Sequence, residues 1–117
     1  MTDYLLWRER LAEANDPQLF PIEYIDAVVA GDGKLWATDK AAMVTRVCLY
    51  PGGAKVVRSL ATAGDLKEIL ETLTPQIEAW AKENGCTHSL VEGRDGWRKA
   101  LAPFGYQHHQ TILIKEL

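Results

Sequence analysis

The chain has 117 residues, 47% apolar and 25% charged, with a formal net charge of -3 at pH 7. That length suits one domain spanning residues 1–117, and the balance excludes an intrinsically disordered chain. The thirteen basic residues are scattered, so no nucleic acid partner is expected; Arg58, Arg94 and Arg98 are the one set that a groove could gather.

No apolar run approaches the roughly 20 residues that span a bilayer, so no membrane partner is expected. The opening MTDYLLWRERLAEA is acidic and breaks its apolar stretch at Trp7-Arg8-Glu9-Arg10, unlike a secretory signal. Cys48 and Cys86 are the two cysteines and lie far apart. They read as buried thiols of a reducing, cytoplasmic compartment, and no metal site is expected.

In chain order, residues 3–14 carry Leu5, Leu6, Leu11 and Ala12 at near-helical spacing, with Tyr4 and Trp7 beside them. Thr2 or Asp3 suits an N-cap, and Asn15-Asp16-Pro17 ends the segment. Pro21 opens a second helix over 21–30, with Ile22, Ile25, Val28 and Val29 on one face and Gly31 as its stop. Three strands follow, over 35–38, 43–50 and 54–60. Pro51-Gly52-Gly53 makes the last two an antiparallel hairpin.

The strongest pattern is the helix over 65–84. Leu66, Ile69, Leu70, Leu73, Ile77, Trp80 and Ala81 form one stripe, Asp65 with Glu68 caps the start, and Gly85 suits the left-handed residue past the end. Pro75 inside it predicts a kink, or a split with Thr74 as a new N-cap. A strand over 86–91, entered from a helix, is expected to lie parallel to an earlier one. A short helix over 94–101, Pro103, Gly105 and a strand over 106–115 complete the chain, which shows no repeat.

Within IEAWAKENGCTHSLVEGRDGWRKALAPFGY a helix ends in Gly85-Cys86, a strand follows, and a short helix around Trp97 to Leu101 leads to Gly105-Tyr106. With the element order, this resembles the later motif of the acetyl-CoA-dependent N-acetyltransferase (GNAT) superfamily, most closely from Cys48 to Leu117. The resemblance implies a single α/β (α+β) domain with a mixed central sheet flanked by helices. The VEGRDGW segment is similar to small phage- and prophage-encoded GNAT-like proteins, which implies a cytoplasmic or virion-associated phage protein.

The resemblance also says where to look for acetyl-CoA. The family binds the cofactor's pyrophosphate on backbone N–H groups at the start of the long helix, through Arg or Gln, two residues, Gly, one residue, then Gly or Ala. Here LATAGDLKE stands in that place, so Ala63, Gly64, Asp65 and Leu66 are the cofactor-binding candidates, with Gly64 the lone loop glycine. Asp65 sets a carboxylate where the phosphate would sit and competes for the same N–H groups. Many members carry a general-acid tyrosine four residues before the Gly-aromatic pair. Leu101 stands there and transfers no proton, while Tyr106 is expected to pack.

Glu92 ends a strand where a general base could sit, with His88 on the same strand; otherwise it pairs with Arg94 or Arg98. His108-His109 on a strand point to opposite faces and read as one inward and one exposed residue. Trp36, Trp80 and Trp97 are candidates to line a cleft, although Trp80 falls on the core stripe. Trp97, with Arg94 beside it, is the candidate partner surface, and Trp7 could dock the first helix on another chain. Two functions remain open, beside a third in which the shared cleft of a homodimer takes an unrelated small ligand. One is a non-catalytic binding or assembly protein, pairing with another protein or as a homodimer. The other is an N-acetyltransferase with a divergent phosphate loop.

Overall fold

A computed structural model describes residues 2–93 and 95–117. Two helices, α1 (Thr2–Ala14) and α2 (Ile22–Ala30), precede three strands: β1 (Lys34–Ala37), β2 (Ala41–Leu49) and β3 (Lys55–Gly64). A continuous helix follows as α3 (Leu66–Glu68), a π-helical turn (Ile69–Leu73) and α4 (Thr74–Glu83). Then come β4 (His88–Val91), α5 (Gly96–Leu101) and a 3-10 turn (Ala102–Phe104).

The sheet order is β1-β2-β3-β4. β1–β2 and β2–β3 are antiparallel, and β4 lies parallel to β3, as its entry from a helix requires. The Pro51-Gly52-Gly53 turn closes the hairpin, with the Gly53 N–H donating to the Tyr50 carbonyl at 2.9 Å and φ of +93° at Gly53. Pairing slips by one residue between Val44 and Thr45, so Leu60 has no opposite number and β3 is bulged there. Beyond the bulge, Ala61 and Ala63 turn to the α1 face together with Leu60.

Each face of the sheet carries its own core. Ile69, Leu73, Ile77 and Ala81 of the long helix pack on Ala41, Met43 and Val57, with Trp36, Trp80, Cys86 and Trp97 at the margin. Trp36 meets Trp80 edge-to-face at 5.7 Å between centroids and donates its indole N–H to Thr45 Oγ1 at 2.9 Å. The predicted stripe holds, except that Leu66 at its start is exposed. Pro75 neither splits the helix nor makes Thr74 an N-cap. Thr74 has helical φ and ψ, and its N–H and hydroxyl both donate to the Ile69 carbonyl. The π turn directly before the proline keeps the helix continuous where an i→i−4 bond would be missing. At the far end Gly85 (φ +81°) gives its N–H to Lys82 and Cys86 to Ala81, a Schellman cap whose hydrophobic contact is Cys86 itself.

On the other face, Tyr4, Trp7 and Leu11 of α1 pack with Ile25, Val28, Ala42, Val44, Leu60, Ala61 and Ala63. This corrects two expectations. Leu5 and Leu6 are 66% and 75% exposed, while Tyr4 and Trp7 are buried. Trp7 is therefore a core residue rather than a docking residue on α1, and Arg10 covers its ring at 4.3 Å. The Tyr4 hydroxyl enters the core because it has a partner: it donates to Asp26 Oδ1 at 2.5 Å. Arg8 grips the same carboxylate through two nitrogens at 2.8 and 2.7 Å, clasping α1 to α2.

The Arg8 hydrogen bond, and less so that of Tyr4, holds the Asp26 carboxyl below the usual range, against partial burial. A carboxyl lowered by folding stabilises the native state fully above its unfolded pKa of about 4. That stability is lost as pH falls through the folded value. The melting temperature of the wild type should exceed that of Asp26→Asn by a constant margin near neutral pH, and the margin should close below about pH 4. Parallel melts of the two proteins from pH 7 to pH 3 check this.

Three further expectations change. Cys48 and Cys86 are free but only half-buried. The short helix begins at Gly96, later than expected. The last predicted strand, 106–115, is not paired: residues 107–117 are all exposed and have no strand partner. His108 and His109 consequently both face solvent rather than dividing inward and outward. No group of metal-ligating side chains occurs among the described residues, and no described helix is long and apolar enough to cross a membrane.

Candidate functional site

The parallel pairing of β3 with β4 runs only from Val56↔His88 to Ser59↔Val91. β3 continues to Gly64, so the edge from Leu60 to Ala63 facing away from β2 has no strand partner among the described residues. β4 ends at Val91, so the edge of β3 beyond Ser59 is left open. Backbone N–H and C=O groups on an unpaired edge are available to a ligand or another chain.

At the end of that edge lie the four residues singled out for a cofactor. Ala63 is buried in the α1-side core, and its side chain is not available to a ligand. Gly64 has φ of +109°, and a Cβ there would stand 2.4 Å from the Lys40 carbonyl oxygen and 2.6 Å from Ala41 Cα. The glycine is required by close packing of β3 on β2, independently of any phosphate. Asp65 is the N-cap of α3: its Oδ2 accepts the Glu68 N–H at 3.0 Å, and its own N–H donates to the Lys40 carbonyl at 3.0 Å. Leu66 is half-exposed on the rim of a groove of about 580 Å³ between the start of the helix and α5. Leu70, Pro103 and Phe104 line it, with Lys67 and Lys99 as its cations; Lys67 lies 4.0 Å from Glu71.

Acetyl-CoA is the cofactor that the sequence resemblance implies, and the residues at the helix start do not fit it in the usual way. The carboxylate of Asp65 already holds one of the N–H groups on which a pyrophosphate would rest, and it adds a negative charge where two more would arrive.

Glu92, the candidate base, receives Arg58 Nη2 on Oε1 at 2.6 Å, and both side chains are about one-quarter to one-third exposed. Arg98 does not take that role here, since it pairs with Asp95 at 3.1 Å; Arg94, the other expected partner, lies outside the described residues. Burial opposes charge at Arg58, but Glu92 together with Tyr50 and Cys48 outweighs it, so the guanidinium holds its proton more tightly than usual. Arg58 Nε is buried without a partner among the described residues. The pair was hidden in the sequence because it depends on register. Arg58 stands beside Leu90 in the β3–β4 register, and Glu92 lies two residues further on, just past the end of β4.

Leu101 is 3% exposed and serves the core. Tyr106 does more than pack. Its hydroxyl donates to Glu78 Oε2 at 2.8 Å and lies 2.7 Å from Ser89 Oγ, joining α4, β4 and the segment after Gly105. Burial, reinforced by the Glu78 carboxylate and opposed by Ser89, raises its phenol well above the ordinary range. A phenol bonded this way is a fixed donor to Glu78 rather than a ready proton source. Trp97 is half-buried at the edge of the α4-side core, with its indole against Gly93, where a Cβ would come within 3.0 Å of the ring. His88 Nδ1 meets Thr87 Oγ1 at 2.8 Å on the exposed start of β4.

No protein-family model matches the sequence, and no curated protein sequence matches it either. Solved structures do match the fold. An acetyltransferase of Trypanosoma brucei superposes with a TM-score of 0.65 at 11% identity, over 99% of this chain and 94% of that one. A wild-type Thermus thermophilus protein gives 0.60 at 17% identity over 96% and 91%. Glucosamine-6-phosphate N-acetyltransferase from Arabidopsis thaliana gives 0.61 at 11% identity over 94% and 88%. At these identities the likeness is one of fold: a small GNAT-like α/β domain with a mixed sheet flanked by helices.

Proposed function

We propose that this domain keeps the acetyltransferase fold but has lost the usual grip on acetyl-CoA, and acts as a non-catalytic binding or assembly protein. The observation that supports this reading is the Asp65 carboxylate on the Glu68 N–H at 3.0 Å. Helix N-termini bind phosphate through free N–H groups and the positive end of the helix dipole. Asp65 consumes the first and offsets the second. Leu101, buried where many members place a proton donor, supports the same reading. The likeness of VEGRDGW to small phage proteins adds a phage origin to it.

A second reading, an N-acetyltransferase acting on an unidentified amine, is favoured by the open edge of β3. Glu92 is its candidate base. The named acetyltransferases among the structural neighbours point the same way.

Calorimetric titration with acetyl-CoA, with free CoA as control, separates the two. The expected result is no measurable binding by the wild type and a clear gain of affinity in Asp65→Gly. Glycine at an N-cap costs only a few tenths of a kcal/mol relative to aspartate, so the variant tests the carboxylate rather than the fold. Micromolar binding by the wild type, unchanged in Asp65→Gly, would sink the non-catalytic reading.

A further inference from the structure

Trp36 of β1 and Trp80 of α4, two of the tryptophans that the sequence marks as candidates for a cleft, meet beside the α4-side core. Their rings stand at 74° with centroids 5.7 Å apart, so the indoles form a corner rather than a stack. Trp36 is fixed there because its indole N–H donates to Thr45 Oγ1 at 2.9 Å, and Thr45 is buried. Trp80 is fixed by α4, whose Ile77 and Ala81 pack into the core on either side of it in sequence. Both tryptophans are only half-buried, which leaves part of each ring in solvent.

The corner already holds a cation. Lys34 precedes Trp36 by two residues on β1, which puts both side chains on one face of the strand. Its Nζ lies 4.8 Å from the centroid of Trp36 and 5.3 Å from that of Trp80. Both distances fall within the reach over which the face of an aromatic ring attracts a cation. Lys34 is exposed and makes no ion pair among the described residues. The two rings are therefore what holds its ammonium in place.

Lysine is a weak occupant of such a corner. A primary ammonium is strongly hydrated, and its four-carbon stem loses rotamer freedom when the head is held. An exposed cation–π contact shifts an equilibrium by only about two- to fivefold. A quaternary ammonium group has no N–H to leave without a partner, and its methyl groups can touch both ring faces at once. Aromatic corners recognise groups of this kind, and a corner that is already rigid loses little freedom on binding. The net charge of -3 also favours the approach of a cation over that of an anion.

We propose that the Trp36–Trp80 corner is a binding site for quaternary ammonium groups, with Lys34 as a resident cation that the ligand displaces. This goes beyond the binding reading above and involves no acetyl-CoA, so either idea can fail without the other.

The experiment follows the indole N–H resonances of the full chain by NMR during titration with choline at constant ionic strength. The control is the neutral alcohol in which a tert-butyl group replaces the trimethylammonium of choline. Choline is expected to move the Trp36 and Trp80 resonances along one saturating curve and to leave that of Trp7, buried in the other core, in place. The neutral alcohol is expected to move none of them. Lys34→Ala empties the corner and should tighten choline binding by roughly two- to fivefold, because no resident cation competes. Trp80→Leu should abolish the saturating curve, with its melting temperature as the check on the fold. Four results would each overturn the proposal. These are a wild type without a saturating shift; an alcohol that binds as well as choline; a Lys34→Ala variant that binds no tighter; and a folded Trp80→Leu variant that binds as before. The first three decide the matter even where Trp80→Leu does not fold.

Discussion

Gly64→Ala should cost about 3 kcal/mol or more, from backbone strain of roughly 1–3 kcal/mol and overpacking of similar size. In a domain of this length that lowers the melting temperature by about 10 °C or more. The reason is geometric. With φ at +109° the new Cβ would press on the Lys40 carbonyl oxygen and Ala41 Cα, both backbone atoms. No flexible side chain can swing aside, so β2 or β3 must shift at the point where Ala41 pairs with Gly64. Gly52→Ala is the control: nothing lies within 4 Å of a Cβ there, and the substitution should be neutral or slightly stabilising. Thermal and denaturant unfolding of the two variants measures the difference. The result bears on the site as well as on stability. Gly64 and the Asp65 N–H bond to Lys40 seat the first turn of the long helix on β2. A harmless Gly64→Ala would mean that this loop moves readily, and a movable loop could swing the Asp65 carboxylate off the helix end. Asp65 keeps phosphate from the helix end only while that seat is rigid.

What could be read from the sequence was whatever depends on neighbours along the chain. The cap of Asp65 on the Glu68 N–H, the glycine past the helix end at 85 and the 51–53 turn are set within a few residues, and each is found where expected. The long helix was legible because Ile69, Leu73, Ile77 and Ala81 repeat at helical spacing against one face of the sheet. The first helix was not. Apolar residues surround it, and the choice between the Leu5–Leu6 side and the Tyr4–Trp7–Leu11 side was made by Asp26, eighteen or more residues away. Asp26 gives the Tyr4 hydroxyl and the Arg8 guanidinium a partner, which makes a polar-tipped residue affordable in the core.

The same distinction divides the site. Residues 63–66 were findable because the start of a helix is a local feature. The ion pair of Arg58 with Glu92 and the Glu78–Tyr106–Ser89 set join residues 17 to 34 positions apart, across registers that no local pattern reveals. Pro75 shows the reverse limit. The sequence marks the missing hydrogen bond but not the π turn over Ile69–Leu73 that precedes it. Strand propensity over 111–114 was equally plain. What a strand pairs with is a property of the sheet, and here the sheet ends at β4.

Leu11→Ala should destabilise the fold by roughly 2–5 kcal/mol, the range for a leucine removed from a closed core. Leu11 is fully buried, at the centre of the contact between α1 and the β2–β3 face, among Tyr4, Ile25, Val44 and Leu60. Ala42, Ala61 and Ala63 on the facing strands have no side chain long enough to refill the space, which places the cost toward the upper end. Leu5→Ala removes the same atoms from a residue 66% exposed, and should stay within about 0.5 kcal/mol. Denaturant unfolding of both, with the slope checked for two-state behaviour, tests the orientation of the helix directly. Equal costs, or a larger cost at Leu5, would mean that α1 presents its other side to the sheet. The clasp of Arg8 and Tyr4 on Asp26 would then be broken, and the polar residues of α1 would have no reason to sit where they do. A large cost at Leu11 alone would instead show that α1 is a structural lid over the bulged part of β3.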